Sequence, residues 1–143
     1  MRGTIELHVP GKPMGKQRAR WSKRGTYTPK ETVNYETYIK ELFVVGNPGF
    51  IPPESPVRVR IYISMCLSIP NSASKRTKDE MESCFILPTK RPDVDNAAKI
   101  VLDALESVAY KNDSQVVALC VEKFYSVRPR MDITIEYDEW GRK

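Results

Sequence analysis

The residues best suited to chemistry lie in Arg91-Pro92-Asp93-Val94-Asp95-Asn96-Ala97-Ala98-Lys99, with a helical run after them and then Lys111-Asn112-Asp113. Asp93 and Asp95 stand one residue apart at the mouth of a helical pattern, Lys99 lies one turn further in, and Asp113 waits beyond the helix end. Two ionised carboxylates about 4 Å apart repel by roughly 4 kcal/mol at an effective dielectric near 20. A divalent cation relieves that repulsion, and a cation held by carboxylates can drive phosphoryl chemistry. Donors that are all oxygen favour magnesium or manganese over zinc or copper. Taken singly, an aspartate at a helix start is a cap and an aspartate before a strand is a turn-former. Their joint occurrence in a basic chain is what points to a site.

The elements that must position these groups follow from periodicity. Asp95 is placed as N-cap of a helix reaching about Val108, with Ala98, Val101, Leu102, Leu105 and Val108 on one apolar face. Asp93 falls just outside, where the positive end of the helix stabilises carboxylates. Lys99 lies on the face of Asp95 and projects towards it, and Asp103 continues that row as a partner for Lys99. If the strand after Asp113 runs back alongside the helix, Asp113 approaches the first two aspartates.

Alternation marks strands at Thr4 to Val9, Val57 to Leu67 and Met131 to Tyr137, and Val116 to Phe124 is read as a further strand, with Arg128-Pro129-Arg130 as a hairpin connection between the last two. Thr28-Pro29-Lys30-Glu31 predicts a capped helix start with proline at the first helical position. That helix runs to about Val45, with Val33, Ile39, Leu42 and Phe43 facing the core, and Gly46-Asn47-Pro48-Gly49 stops it. Ser72 to about Cys84 reads as a short polar helix. Strands and helices mix without a βαβ rhythm, so the fold class is α+β, a single domain over 1–143 with a mixed or antiparallel sheet covered by helices.

With 143 residues and a net charge of +5, the chain has room for a real core and favours an anionic partner. Between Gly11 and Lys30 it carries Lys12, Lys16, Arg18, Arg20, Lys23, Arg24 and Lys30 and no acidic residue. Gly15 and Gly25 weaken regular structure there, so a basic loop or arm is expected, suited to phosphate contacts. Trp21 within it is placed either to stack on an unpaired base or to pack on its own domain. Arg91 and Lys111 flank the aspartates as further DNA-contact candidates. The three cysteines, Cys66, Cys84 and Cys120, form no CxxC pair and read as packing residues, and His8 is the only histidine, which argues against zinc. The N-terminus reads as neither signal peptide nor membrane span, and an intracellular, cytoplasmic protein is expected.

Arg91-Pro92-Asp93-Val94-Asp95-Asn96-x-x-Lys99, then Asp103-Ala104-Leu105, then Tyr110-Lys111-Asn112-Asp113-Ser114-Gln115-Val116 closely resembles the signature of RusA-type Holliday-junction resolvases. The resemblance extends to the basic arm with its Tyr27-Thr28-Pro29 ending and to Arg128-Pro129-Arg130, and so spans most of the chain. It implies that Asp93, Asp95 and Asp113 are the catalytic metal-site aspartates and Lys99 the catalytic lysine. It further implies a homodimeric, magnesium-dependent endonuclease of bacterial or phage origin, acting on four-way DNA junctions by paired symmetric cleavage, with manganese as a possible substitute. Two other readings use the same residues. A non-catalytic junction- or fork-binding DNA protein would bind without metal and never cut. A nuclease for other branched DNA, such as flaps, would be separated by its substrate preference.

Overall fold

The structure, a computed structural model, describes residues 2–27 and 29–139. Its four long strands, β1 (Gly3–Pro10), β4 (Val57–Ser68), β5 (Val116–Ser126) and β6 (Arg130–Glu139), form one sheet in the order β1-β6-β4-β5. The pairs β1–β6 and β6–β4 are antiparallel and β4–β5 is parallel. Two short strands, β2 (Arg20–Ser22) and β3 (Gly25–Tyr27), pair as a separate antiparallel ribbon. The helices are α1 (Lys30–Gly46), α2 (Lys75–Glu82) and α3 (Val94–Leu105). With its mixed sheet and its helices the fold is α+β, as the element pattern predicts.

Alternation along the strands decides which face is buried. Leu7 and Val9 of β1, Val59, Ile61, Ile63 and Met65 of β4, and Met131, Ile133, Ile135 and Tyr137 of β6 all turn to one side, where α1 and α3 cover them. Burying each large aliphatic side chain contributes about 1.5–3 kcal/mol, so this single layer dominates the stability. On the opposite face, Arg58 and Arg60 of β4 hold Asp138 of β6 at 2.9 and 2.8 Å. In the same way His8 of β1 meets Asp132 of β6 at 2.7 Å.

Several expectations are corrected. The last two strands do not form a hairpin, because β4 lies between β5 and β6. The connection Val127–Pro129 steps across the end of β4, a distance of about two strand spacings, or roughly 10 Å. The basic arm is not structureless but carries the β2–β3 ribbon. In α1, Ile39 and Phe43 are buried and Leu42 is half-buried, as expected, but Val33 is exposed, and Thr32 and Tyr35 complete the buried face. Thr28 lies outside the described residues, and Pro29 precedes the first helical residue, Lys30. Helix α3 starts one residue before Asp95 and stops at Leu105, because the chain folds back to bury Tyr110. The Tyr110 hydroxyl donates to the Leu102 carbonyl at 2.8 Å, and Ser107 takes a positive φ of 77° at the reversal. Of the cysteines only Cys66 is buried; Cys84 and Cys120 are exposed free thiols.

Candidate active site

The acidic pair sits where α3 begins. Asp93 occupies the N-cap position with extended backbone, and its carbonyl accepts the Ala97 N–H at 3.0 Å, but its carboxylate caps nothing. Asp95 lies in the first turn and Lys99 one turn on, all three exposed, while Ala97, Ala98, Ile100, Val101, Ala104 and Leu105 bury the other side of the helix. Among the described residues the carboxylates of Asp93 and Asp95 accept no hydrogen bond, so their lone pairs are open to a ligand. The helix N-terminus supplies a field that favours negative charge at this position.

The basic arm is docked against this helix start. The Lys16 N–H donates to the Asn96 carbonyl at 2.8 Å, and the Gln17 N–H donates to Thr32 Oγ1 at 3.2 Å. Lys16 Nζ reaches Asp103 at 2.6 Å and Glu36 at 3.1 Å, tying the arm to both α3 and α1. Its partial burial would lower the ammonium pKa, but the bonds from Asp103 and Glu36 outweigh that and raise it above its ordinary value. Asp103 is therefore the partner of Lys16 rather than of Lys99. Between arm and helix runs a groove of about 770 Å³, lined among others by Lys12, Arg18, Arg20, Arg91, Asp93 and Asn96. Of the basic residues expected to meet DNA, Lys12, Lys16, Arg18, Arg20 and Arg91 share this groove, with Lys16 already engaged by Asp103 and Glu36, and Lys23 and Arg24 stand exposed at the ribbon turn beside Trp21, which is 84% exposed.

Asp113 and Lys111 stand elsewhere. Asp113 opens a single 3₁₀ turn, Asp113–Gln115, stapled by Asn112 and Gln115 in a reciprocal capping box. The buried Gln115 amide donates to the carbonyls of Pro53 and Val57 at 3.1 Å each, and its oxygen accepts the N–H groups of Lys111 and Asn112. The Asp113 N–H donates to Glu106 Oε2 at 3.2 Å, which fixes it beside the C-terminal end of α3. At the other end of the helix, the Lys123 ammonium donates to the Lys90 carbonyl, and Lys90 lies 5.6 Å over the Tyr125 ring. Strand β5 thus runs antiparallel to α3, as the sequence condition required, but Asp113 precedes the wrong end of it. From Asp95 to Glu106 the helix rises roughly 16 Å at about 1.5 Å per residue. Among the described residues no three acidic, imidazole or thiol side chains gather into a metal-holding group.

The donor chemistry of Asp93 and Asp95 fits an oxygen-preferring cation, and Asp113 does not join them within one chain. Two structural residues escaped sequence reasoning. Glu106 carried no motif, and Gln115 read only as part of a motif, although a glutamine between a turn and a strand is a natural capping-box partner. The role of Gly15 is also spatial: a Cβ there would lie 2.8 Å from Asn96 Cβ.

An acidic pair on a helix end beside a basic groove, on an α+β sheet, is an arrangement whose chemistry fits phosphodiesters of nucleic acid. The chain belongs to the RusA endodeoxyribonuclease family, whose model, "Endodeoxyribonuclease RusA", matches residues 10–136. That family acts on Holliday junctions and depends on divalent metal. The chain is also 36% identical over 136 residues to "Uncharacterized protein YqaN" of Bacillus subtilis (strain 168), covering 92% of this chain and 94% of that protein.

Proposed function

We propose that the protein is a magnesium-dependent, structure-selective endonuclease that resolves four-way DNA junctions by paired symmetric cuts. The observation that carries this reading is the groove in which Lys12, Arg18, Arg20 and Arg91 converge on Asp93 at the start of α3. The cationic side chains would seat a phosphate backbone, supplying affinity without sequence preference. Asp93 and Asp95 are the residues that would hold the cation, with Asp113 as the third carboxylate of the set. Magnesium held by these carboxylates would supply Lewis-acid polarisation of a phosphodiester and a more acidic water for attack. Lys99, exposed one turn along the same helix, would place its ammonium against the non-bridging oxygens as negative charge builds on the phosphoryl group. Arg91, beside Asp93, would orient the scissile strand. Two such sites in a symmetric dimer would make the two opposed incisions that resolution requires.

Cleavage of matched synthetic substrates tests the reading: a four-way junction, a 5′ flap, a fork and linear duplex, each with magnesium or manganese. Preferred, paired nicking of the four-way junction is expected. Preferred cutting of flaps, or binding with no cutting in either metal, would overturn it.

A further inference from the structure

The β2–β3 ribbon is a hairpin with a fixed turn, and its largest side chain stands in water. Pairing sets Arg20 opposite Tyr27, Trp21 opposite Thr26 and Ser22 opposite Gly25. The Ser22 hydroxyl donates to the Gly25 carbonyl at 2.9 Å and accepts the Arg24 N–H at 3.3 Å. Gly25 takes a φ of 110° at this turn, a conformation that a side chain would resist. The arm that carries the ribbon is rooted just before it, where Lys16 and Gln17 bond to α3 and α1. Trp21 is 84% exposed, and its ring meets no other ring and no cation among the described residues. It therefore does not pack on its own domain, and so large an apolar ring forgoes the burial that the core side chains gain.

Resting on the nuclease reading above, we infer that Trp21 is a stacking platform for a nucleobase whose face is bared at the branch point of DNA. The charges around the ring select this occupant. Arg18, Arg20, Lys23 and Arg24 flank it in sequence and make no ion pair among the described residues, and no acidic residue lies between Gly11 and Lys30. That setting suits an aromatic ligand that carries phosphate, and every base presents a π face to an indole. Alternation then gives the ribbon two faces. Arg20 lines the groove beside Asp93, and successive strand side chains point to opposite faces, so Trp21 turns away from the groove. A strand seated in the groove is met by Arg20, while Trp21 meets the DNA beyond the ribbon. Within an intact duplex each base is already stacked above and below and offers the indole nothing. A branch point interrupts the stack and bares the ends of the arms. The ribbon stands as a wedge between the arm that is cut and the branch point, with phosphate contacts on one face and a base stack on the other. Stacking tolerates any base, so Trp21 selects the shape of the DNA and not its sequence.

Binding measured without divalent metal, where nothing is cut, tests the inference. Wild type, Trp21→Ala and Trp21→Phe, each intact in circular dichroism, are titrated with a four-way junction, a linear duplex and a single-stranded oligonucleotide. Trp21→Ala should bind the junction about 5- to 150-fold more weakly, the range of one base–aromatic stack, and bind the duplex as wild type does. Its salt slope on the junction should not change, because no cation is lost. Trp21→Phe keeps an aromatic face and should recover most of the affinity. With 2-aminopurine at the branch point, the saturated wild-type complex should be dimmer than the Trp21→Ala complex, since stacking quenches that base. Unaltered junction affinity in Trp21→Ala, a loss shared equally with duplex, a loss confined to the single strand, no recovery with Trp21→Phe, or equal 2-aminopurine emission would overturn the platform. Nicking of the same junction in magnesium is followed in parallel. Nicking with no effect of Trp21 on binding defeats this inference alone, whereas a branch-selective Trp21 effect in a protein that never nicks defeats the nuclease reading alone.

Discussion

At the scale of single residues, function and architecture make different demands on neighbouring positions. Lys99 is exposed and makes no ion pair among the described residues, while Lys16, equally basic in sequence, is consumed by Asp103 and Glu36. Replacing Lys99 with alanine should lower the cleavage rate about 10²–10³-fold, the usual loss when one electrostatic stabiliser of a transition state is removed. Junction affinity should stay near wild type, and single-turnover kinetics beside a binding titration would separate the two. Equal loss of binding and rate would make Lys99 a mere phosphate contact. Gly15 is the opposite case, a residue with no chemistry but no room for a side chain. Its Cβ would stand 2.8 Å from Asn96 Cβ and 3.3 Å from both the Asn96 backbone and Pro92 Cβ. Gly15→Ala should cost about 1–3 kcal/mol by overpacking and lift the arm from α3. An unchanged denaturation midpoint would show that the arm is not seated there.

The elements were unevenly legible. Alternation exposed β1, β4 and β6, while β5 was read from its apolar run, and the spacing Ala97, Ile100, Val101, Ala104 and Leu105 explains why α3 was the clearest helix. Strand order was not legible, because a short Val127–Pro129 link suits a hairpin as well as a step over a buried neighbour. Glycine and charge made the arm read as loop, since its docking partners Asn96, Asp103 and Thr32 come from distant elements. Asp93, Asp95 and Lys99 were readable as a local constellation, whereas the position of Asp113 depended on which end of β5 meets which end of α3. The tether of the arm also has a pH signature. The Lys16 pKa is raised from its ordinary 10.5, so its stabilisation is fully present below that value and fades as pH climbs through the higher folded value. Burial pushes the Tyr35 hydroxyl up to about 12, and that group also costs stability in the same alkaline window. Comparing melting curves of wild type and Lys16→Met isolates the tether. The gap between them, about 1 kcal/mol for a part-exposed pair, should hold from neutral pH to about 10.5 and close above it. A gap already closed at pH 8 would contradict the pairing.

For the whole molecule, the sheet separates duties. One face and its helices hold the core, the arm and the start of α3 form the basic groove, and the β5 edge is left open. No described helix is long and apolar enough to cross a membrane. A groove that binds by phosphate neutralisation makes affinity fall with salt, each contact adding about 0.9 to the slope of log K against log salt. Arg18→Ala with Arg20→Ala should therefore flatten that slope by about 2 while leaving the fold intact. An unchanged slope in a filter-binding series would move the DNA path away from the groove.

The most direct measurement is nicking of a mobile four-way junction by wild type and by Asp95→Asn, with and without magnesium. The Asp95 side chain is exposed and makes no hydrogen bond or ion pair among the described residues, so the variant should stay folded and bind the junction. Paired nicks at symmetric positions, present only in wild type with magnesium, are the expected result. Unchanged nicking by Asp95→Asn, or nicking that persists without any divalent metal, would contradict a carboxylate-held cation at the start of α3.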